Sequence, residues 1–131
     1  MIYLIDDKKV RQADFGWSET KLDKFSSYIK PLYDIEDVIT VGEDLYANNN
    51  VILYHESFLD FTQNKEKATN QRVKLYKKAD QIPDLSVAFF SGSMNSRSLK
   101  GNVATLPVAK LYQNLESLIQ KYSIGVINLK Y

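Results

Sequence analysis

The stretch Ile-Tyr-Leu-Ile-Asp-Asp at residues 2–7 places four apolar residues directly before two carboxylates. Such a short apolar run is typical of a strand that is buried on both faces of a parallel sheet. Further runs of similar length and character recur along the chain. The predicted strands are Ile2–Ile5, Val38–Val41, Val51–Tyr54, Val87–Phe90 and Val103–Leu106.

Segments with helical spacing lie between these runs. Apolar residues recur at i, i+3, i+4 and i+7 from Val108 to Tyr122, which predicts a long amphipathic last helix. An earlier helix is predicted to begin after the N-cap Ser18, where Trp17 and Leu22 are spaced to form a hydrophobic staple. Pro31 is expected to end that helix.

Three connections are harder to assign from the sequence. Phe58–Ala79 has helical character, but its polar middle at Asn64–Gln71 leaves open one helix or two helices joined by a turn. Ser91–Asn102 is small and polar, so any helix there should be short or irregular. Gly42–Asn50 is ambiguous in the same way.

Strands that alternate with helices predict right-handed crossovers and a parallel sheet covered on both faces. The 131-residue chain is expected to be one α/β domain with a flavodoxin-like (CheY-like), doubly wound five-stranded parallel sheet in the order 2-1-3-4-5. The domain is expected to span residues 1–122, with an eroded fourth helix. Residues 123–131 would be a C-terminal extension or the start of a linker.

Composition excludes several classes of function. Cysteine is absent, which removes disulfides, thiolate metal sites and cysteine nucleophiles, and 17 basic residues nearly balance 16 acidic ones. Nucleic-acid binding is therefore disfavoured, because phosphate contacts require a basic surplus. The start of the chain lacks the pattern of a signal peptide, and no apolar run is long enough to cross a bilayer. We expect a soluble cytoplasmic protein with no membrane association.

Functional sites of open parallel sheets form at the carboxyl ends of the strands, near the point where the strand order reverses. The residues at those strand ends can be read from the predicted strands. The candidate site residues are Asp6, Asp7, His55, Ser91, Leu106 and Pro107.

In order and position, these residues resemble the site of bacterial response-regulator receiver domains. Asp6-Asp7 matches the acidic pair that helps such domains to hold Mg²⁺, and His55 takes the position of the phosphoacceptor aspartate. Ser91-Gly92 matches the hydroxyl residue and small residue after strand four. Leu106-Pro107 stands where the family has Lys-Pro. The resemblance covers about residues 1–122.

The departures from the family pattern concern the chemistry of phosphorylation. His55 replaces the carboxylate nucleophile, Leu106 replaces the lysine that would neutralise charge, and Val103 stands where receivers often carry an aromatic switch residue. The resemblance therefore implies a degenerate pseudo-receiver of two-component signalling that works without phosphorylation and without a catalytic residue. Its expected partner is another protein, or a second copy, bound through the face of the fourth and fifth helices.

Alternatives remain open at the site. Asp6, Asp7 and His55 could instead form a small metal-assisted phosphoryl-transfer or hydrolytic site. As a receiver-like site, Asp6 and Asp7 would bind Mg²⁺ weakly or not at all, and no other cofactor is expected. His55 could titrate near neutrality, accept a phosphoryl group or be structural. Ser91 could be a remnant of the site or a helix N-cap, and Glu56 could replace the lost carboxylate only if the register shifted by one residue.

Overall fold

The computed structural model describes residues 1–56, 65–92, 98–100 and 103–125. Its centre is a sheet of five parallel strands in the order β2-β1-β3-β4-β6, and β5 pairs antiparallel with β6 at one edge. The strands are β1 (Ile2–Ile5), β2 (Ile29–Leu32), β3 (Val51–His55), β4 (Ser86–Ser91), β5 (Ser98–Lys100) and β6 (Val103–Pro107). The parallel part has the predicted order 2-1-3-4-5, which confirms the flavodoxin-like fold.

Helices connect the strands and lie around the sheet. They are α1 (Lys9–Asp14), α2 (Glu19–Asp23), α3 (Ile35–Val41), a 3-10 helix (Gly42–Tyr46), α4 (Lys65–Gln81) and α5 (Val108–Ser123). The long last helix is confirmed as α5. No helix among the described residues is long and apolar enough to span a membrane.

The prediction for the second strand is wrong. Val38–Val41 lies in α3, and the second strand is Ile29–Leu32. The Asp34 carboxylate caps α3 by accepting a hydrogen bond from the Glu36 amide at 3.0 Å. A run of four β-favouring residues therefore joins a helix, because its N-terminus is capped and its apolar side chains are buried on one side only.

Pro31 does not end the first helix, because it lies within β2. Since β2 is at the edge of the sheet, a residue without an amide hydrogen is tolerated there. The predicted cap is present: Ser18 accepts a hydrogen bond from the Lys21 amide at 3.3 Å, and Trp17 and Leu22 are buried in one cluster. The helix that follows this cap, α2, is short. The preceding helix, α1, was not predicted.

Two of the ambiguous connections are partly resolved. Residues 65–71 belong to α4, so the described part of the polar segment is helical; residues 57–64 lie outside the described residues. Within Ser91–Asn102, the described residues hold the end of β4, a turn residue and the edge strand β5, and no helix. The tail is described only as far as Gly125.

Apolar clusters cover the two faces of the sheet, and alternate residues of β1 supply both. Tyr3 and Ile5 face a cluster that includes side chains of α3 and α4, whereas Ile2 and Leu4 face a cluster that includes side chains of α2 and α5. This alternation is the expected consequence of side chains that point to opposite faces along a strand. The central strands are therefore fixed from both sides, and their carboxyl ends form one well-defined edge.

Candidate functional site

The structure brings Asp6, Asp7 and His55 together at the carboxyl edge of the sheet. β1 and β3 are adjacent parallel strands, and Ile5 pairs with Tyr54, so the residues that follow these two positions are neighbours. One potential metal-ligating atom from each side chain lies within 4.8 Å of the other two. In the part of the chain that the structure describes, this is the one such group of three carboxylate or imidazole side chains.

Asp6 is completely buried, and both of its carboxylate oxygens are hydrogen-bonded. Oδ1 accepts from the Lys8 amide at 3.0 Å in a local turn and from the Arg11 guanidinium at 2.5 Å. Oδ2 accepts from the Tyr112 hydroxyl at 2.8 Å. Burial raises the pKa of Asp6, while the Tyr112, Lys8 and Arg11 donors act in the opposite direction by stabilising the ionised form.

Arg11 is the site residue that sequence reasoning missed. Its Nη1 contacts Oδ1 of Asp6 at 2.5 Å and Oδ1 of Asp7 at 3.3 Å, so one guanidinium nitrogen bridges the two carboxylates. The spacing of Asp7 and Arg11, i and i+4, was a signal that could have suggested the pair. It was hidden because Lys8 and Lys9 stand between the acidic pair and Arg11.

Tyr112 connects the site to the last helix. Its ring is buried and stacks on Phe15 with centroids 5.5 Å apart. The Trp17 indole N–H donates to the Tyr112 carbonyl at 3.0 Å and holds that turn of α5 in place. Burial, with the adjacent Asp6 carboxylate, raises the pKa of Tyr112, so the phenol stays protonated and donates. Only tertiary packing reveals this second role.

His55 is the last residue of β3 and is 4% exposed. Burial lowers the pKa of its imidazole to about 4, and the nearby Arg11 charge acts in the same direction. Its ring meets the Phe90 ring edge-to-face, with centroids 4.9 Å apart. The imidazole is therefore neutral at neutral pH, which is the form that ligates metals and the form that a buried structural histidine adopts.

The remaining predicted residues lie at the same edge but outside the three-residue cluster. Ser91 is buried at the end of β4 and pairs with Pro107, and Leu106 pairs with Phe90. Leu106 packs against the apolar cluster on the α5 side of the sheet. Leu106 therefore contributes to apolar packing at this edge. Ser91 lies in the strand, and the residues after Gly92 that could form a helix for it to cap lie outside the described residues.

Glu56 does not join the cluster. Its two carboxylate oxygens accept two hydrogen bonds from the Arg72 guanidinium of α4, each at 3.0 Å. The Arg72 guanidinium also lies over the Phe89 ring, 4.9 Å from its centroid. Glu56 is thus held by its own arginine and is absent from the group that could hold a metal.

The arrangement is a carboxylate pair with a built-in cation, flanked by a neutral imidazole and a tyrosine donor. It can hold positive charge at the sheet edge. Both carboxylate oxygens of Asp6 already accept hydrogen bonds from donors of the chain itself. Comparisons with protein-family models, with curated proteins and with solved structures return no match for this chain.

Proposed function

We propose that the chain is a phosphorylation-independent, receiver-like module of cytoplasmic signalling that acts by binding a protein partner or a second copy of itself. The sheet order and the acidic pair after β1 support the likeness to receivers. His55 at the acceptor position and Leu106 at the lysine position support the loss of phosphoryl transfer.

The observation that carries this proposal is the hydrogen bonding of Asp6. Three donors of the chain itself, from Lys8, Arg11 and Tyr112, occupy its two oxygens. Mg²⁺ prefers a near-octahedral shell of oxygen ligands, and these donors already take three of the about four lone-pair positions of the Asp6 carboxylate. Phosphoryl transfer to a receiver depends on that cation. The three donors on Asp6 therefore favour a site that stays permanently in the unphosphorylated state.

The last helix, α5, is the element through which a partner would be engaged. Tyr112 ties it directly to Asp6, and its outward face carries exposed polar side chains such as Lys110 and Glu116. In the resembled family, the face of the fourth and fifth helices commonly makes contacts. Here the described residues between β4 and β6 include the strand β5 and no helix, which favours a partner specific to this protein.

Intact-mass measurement after incubation with acetyl phosphate and Mg²⁺ tests the loss of phosphorylation. The mass should stay unchanged, while a phosphorylatable receiver domain treated in parallel gains one phosphoryl group. An adduct on His55 or Glu56 would contradict the proposal.

Sedimentation velocity over a range of concentrations tests self-association. For a homodimer formed through α5, the exposed Lys110→Glu change should weaken dimerisation, whereas Lys24→Glu in the C-cap of α2 should not. If the protein is a monomer at all concentrations, its partner is a different protein. In a search for that partner, Lys110→Glu would serve as the binding-deficient control.

A second candidate function is a metal-assisted phosphoryl-transfer or hydrolytic site. The proximity of Asp6, Asp7 and His55, within 4.8 Å, is the observation that favours it. Calorimetric titration with Mg²⁺, Mn²⁺ and Zn²⁺ separates the two functions. The metal-assisted site requires that the wild-type protein bind one of these ions and hydrolyse a phosphomonoester in its presence, and the interaction module requires neither.

A further inference from the structure

The geometry points to a transition-metal site, formed by Asp6, Asp7 and His55, that Arg11 blocks. The guanidinium of Arg11 is a cation tethered to the chain, and it competes with a metal ion for the site. The ion that fits this ligand set is a borderline divalent cation such as Zn²⁺. This inference rests on the proposed function and deepens it, because it names Arg11 as the group that takes the place of the Mg²⁺ ion of a receiver site.

The position of the guanidinium is the first step. Nη1 of Arg11 is 2.5 Å from Oδ1 of Asp6 and 3.3 Å from Oδ1 of Asp7. A cation shared by two carboxylates has to approach these oxygens, and the guanidinium nitrogen is already there. A metal ion and the guanidinium would therefore compete for the same lone pairs.

The ligand set is the second step. The two carboxylates follow β1 and the imidazole ends the neighbouring β3, so their positions are fixed by the sheet. Their ligand atoms lie within 4.8 Å of one another. Metal–ligand bonds of about 2.0–2.2 Å place the ligand atoms of a tetrahedral site about 3.3–3.6 Å apart, so an approach of up to about 1.5 Å between ligand atoms would complete the site. One imidazole with two carboxylates suits Zn²⁺ or Mn²⁺ better than Mg²⁺.

Charge and accessibility are the third step. Arg11 supplies one positive charge to two carboxylates, so a divalent ion would neutralise the pair more completely. The side chains of Arg11 and Asp7 are 20% and 21% exposed, so this side of the cluster is in contact with solvent. Arg11 is tethered within five residues of both carboxylates, which gives its guanidinium a high effective concentration.

Calorimetric titration with Zn²⁺ tests the inference on the whole chain. Arg11→Met removes the competitor, and it should bind Zn²⁺ at least tenfold more tightly than the wild-type protein. Arg11→Gln keeps a hydrogen-bond donor without the charge, and it provides a second test if Arg11→Met does not fold. Arg11→Lys keeps a cation and should resemble the wild-type protein. Adding His55→Gln to Arg11→Met or Arg11→Gln should abolish the gain.

Equal Zn²⁺ affinity in the wild-type protein and in a folded Arg11→Gln or Arg11→Met variant would overturn the inference. A gain that survives His55→Gln would also overturn it, because the ligand set would then be wrong. These failures differ from failure of the proposed function, which would appear as acetyl-phosphate labelling of the wild-type protein. Mg²⁺ in place of Zn²⁺ should produce a smaller gain in the Arg11 variants, and a larger gain would contradict the assigned ligand chemistry.

Discussion

Two arginine–carboxylate pairs stand at the same edge of the sheet, after adjacent strands. Asp6 follows β1 and pairs with Arg11, and Glu56 follows β3 and pairs with Arg72. The Asp6 side chain has no exposed surface, whereas the Glu56 side chain is 22% exposed and the Arg72 side chain is 28% exposed. The same chemistry is therefore placed in two environments.

The difference shows how burial changes the role of an ion pair. A carboxylate that keeps some contact with water loses little when its partner is removed, because solvent replaces the partner. A buried carboxylate cannot be solvated in this way, so removal of its partner leaves an uncompensated charge. The Asp6 pair is consequently a structural requirement of the site, and the Glu56 pair is a peripheral contact.

The largest effect should come from Arg11→Met. We expect a loss of about 3–4 kcal/mol in the free energy of unfolding at pH 7, because the buried Asp6 charge loses its cation. Burial already raises the pKa of Asp6, and a group with a raised folded-state pKa stabilises the fold most when it is protonated. The deficit should therefore shrink as the pH falls toward 4. Urea unfolding at several pH values measures it.

The matched control for this change is Arg72→Met, which removes the other arginine of the comparison. Equal losses for the two arginine variants would contradict the role assigned to burial. The double variant Arg11→Met with Asp6→Asn should recover part of the loss, because the buried site then holds no charge.

The next effect concerns His55 and pH. Its pKa falls from 6.5 in the unfolded chain to about 4 in the fold, so the unfolded state binds more protons between these values. The stability due to the neutral imidazole is present above pH 6.5 and is lost as the pH falls toward 4, by about 2–3 kcal/mol. His55→Gln does not titrate, so the difference in unfolding free energy between wild type and variant should change over this window. A constant difference would mean that the imidazole is not desolvated.

Tyr112→Phe should have a smaller effect. It keeps the buried ring and removes the hydroxyl that donates to Oδ2 of Asp6 at 2.8 Å. A hydrogen bond to a charged group contributes about 1.5–3 kcal/mol, and we expect about 2 kcal/mol of destabilisation in urea unfolding. Tyr28→Phe, at a more exposed tyrosine, is the control and should change stability by less than about 0.5 kcal/mol. Similar values for both variants would argue against a strong bond to Asp6.

The smallest effect should come from Arg72→Gln. The pair with Glu56 is bidentate and is reinforced by the Phe89 ring, but both partners contact solvent. We expect a loss of about 1 kcal/mol or less, reduced further at high salt. Thermal unfolding at low and high ionic strength measures it. A loss as large as that of Arg11→Met would remove the distinction between the two pairs.

The central strands could be predicted because their apolar runs are short, continuous and bounded by polar residues. Val38–Val41 has the same appearance and is nevertheless helical, since the Asp34 cap and one-sided burial outweigh β propensity. β2 escaped prediction for the opposite reason. Its sequence, Ile29-Lys-Pro-Leu32, contains a charge and a proline that only an edge position accepts.

The acidic pair and His55 could be brought together from the sequence alone, because residues that end adjacent parallel strands must share one edge. The hydrogen bonds and the ion pair at that site could not be predicted from the sequence. Tyr112 reaches Asp6 from 106 residues away, and Arg11 reaches it only because a turn and a short helix fold back over the strand end. The run of apolar residues that marks a strand is a local pattern, so it can be recognised in the sequence. Burial, hydrogen-bond partners and the pKa values they set arise from packing between distant segments, so the tertiary structure alone determines that this carboxylate pair already holds its cation.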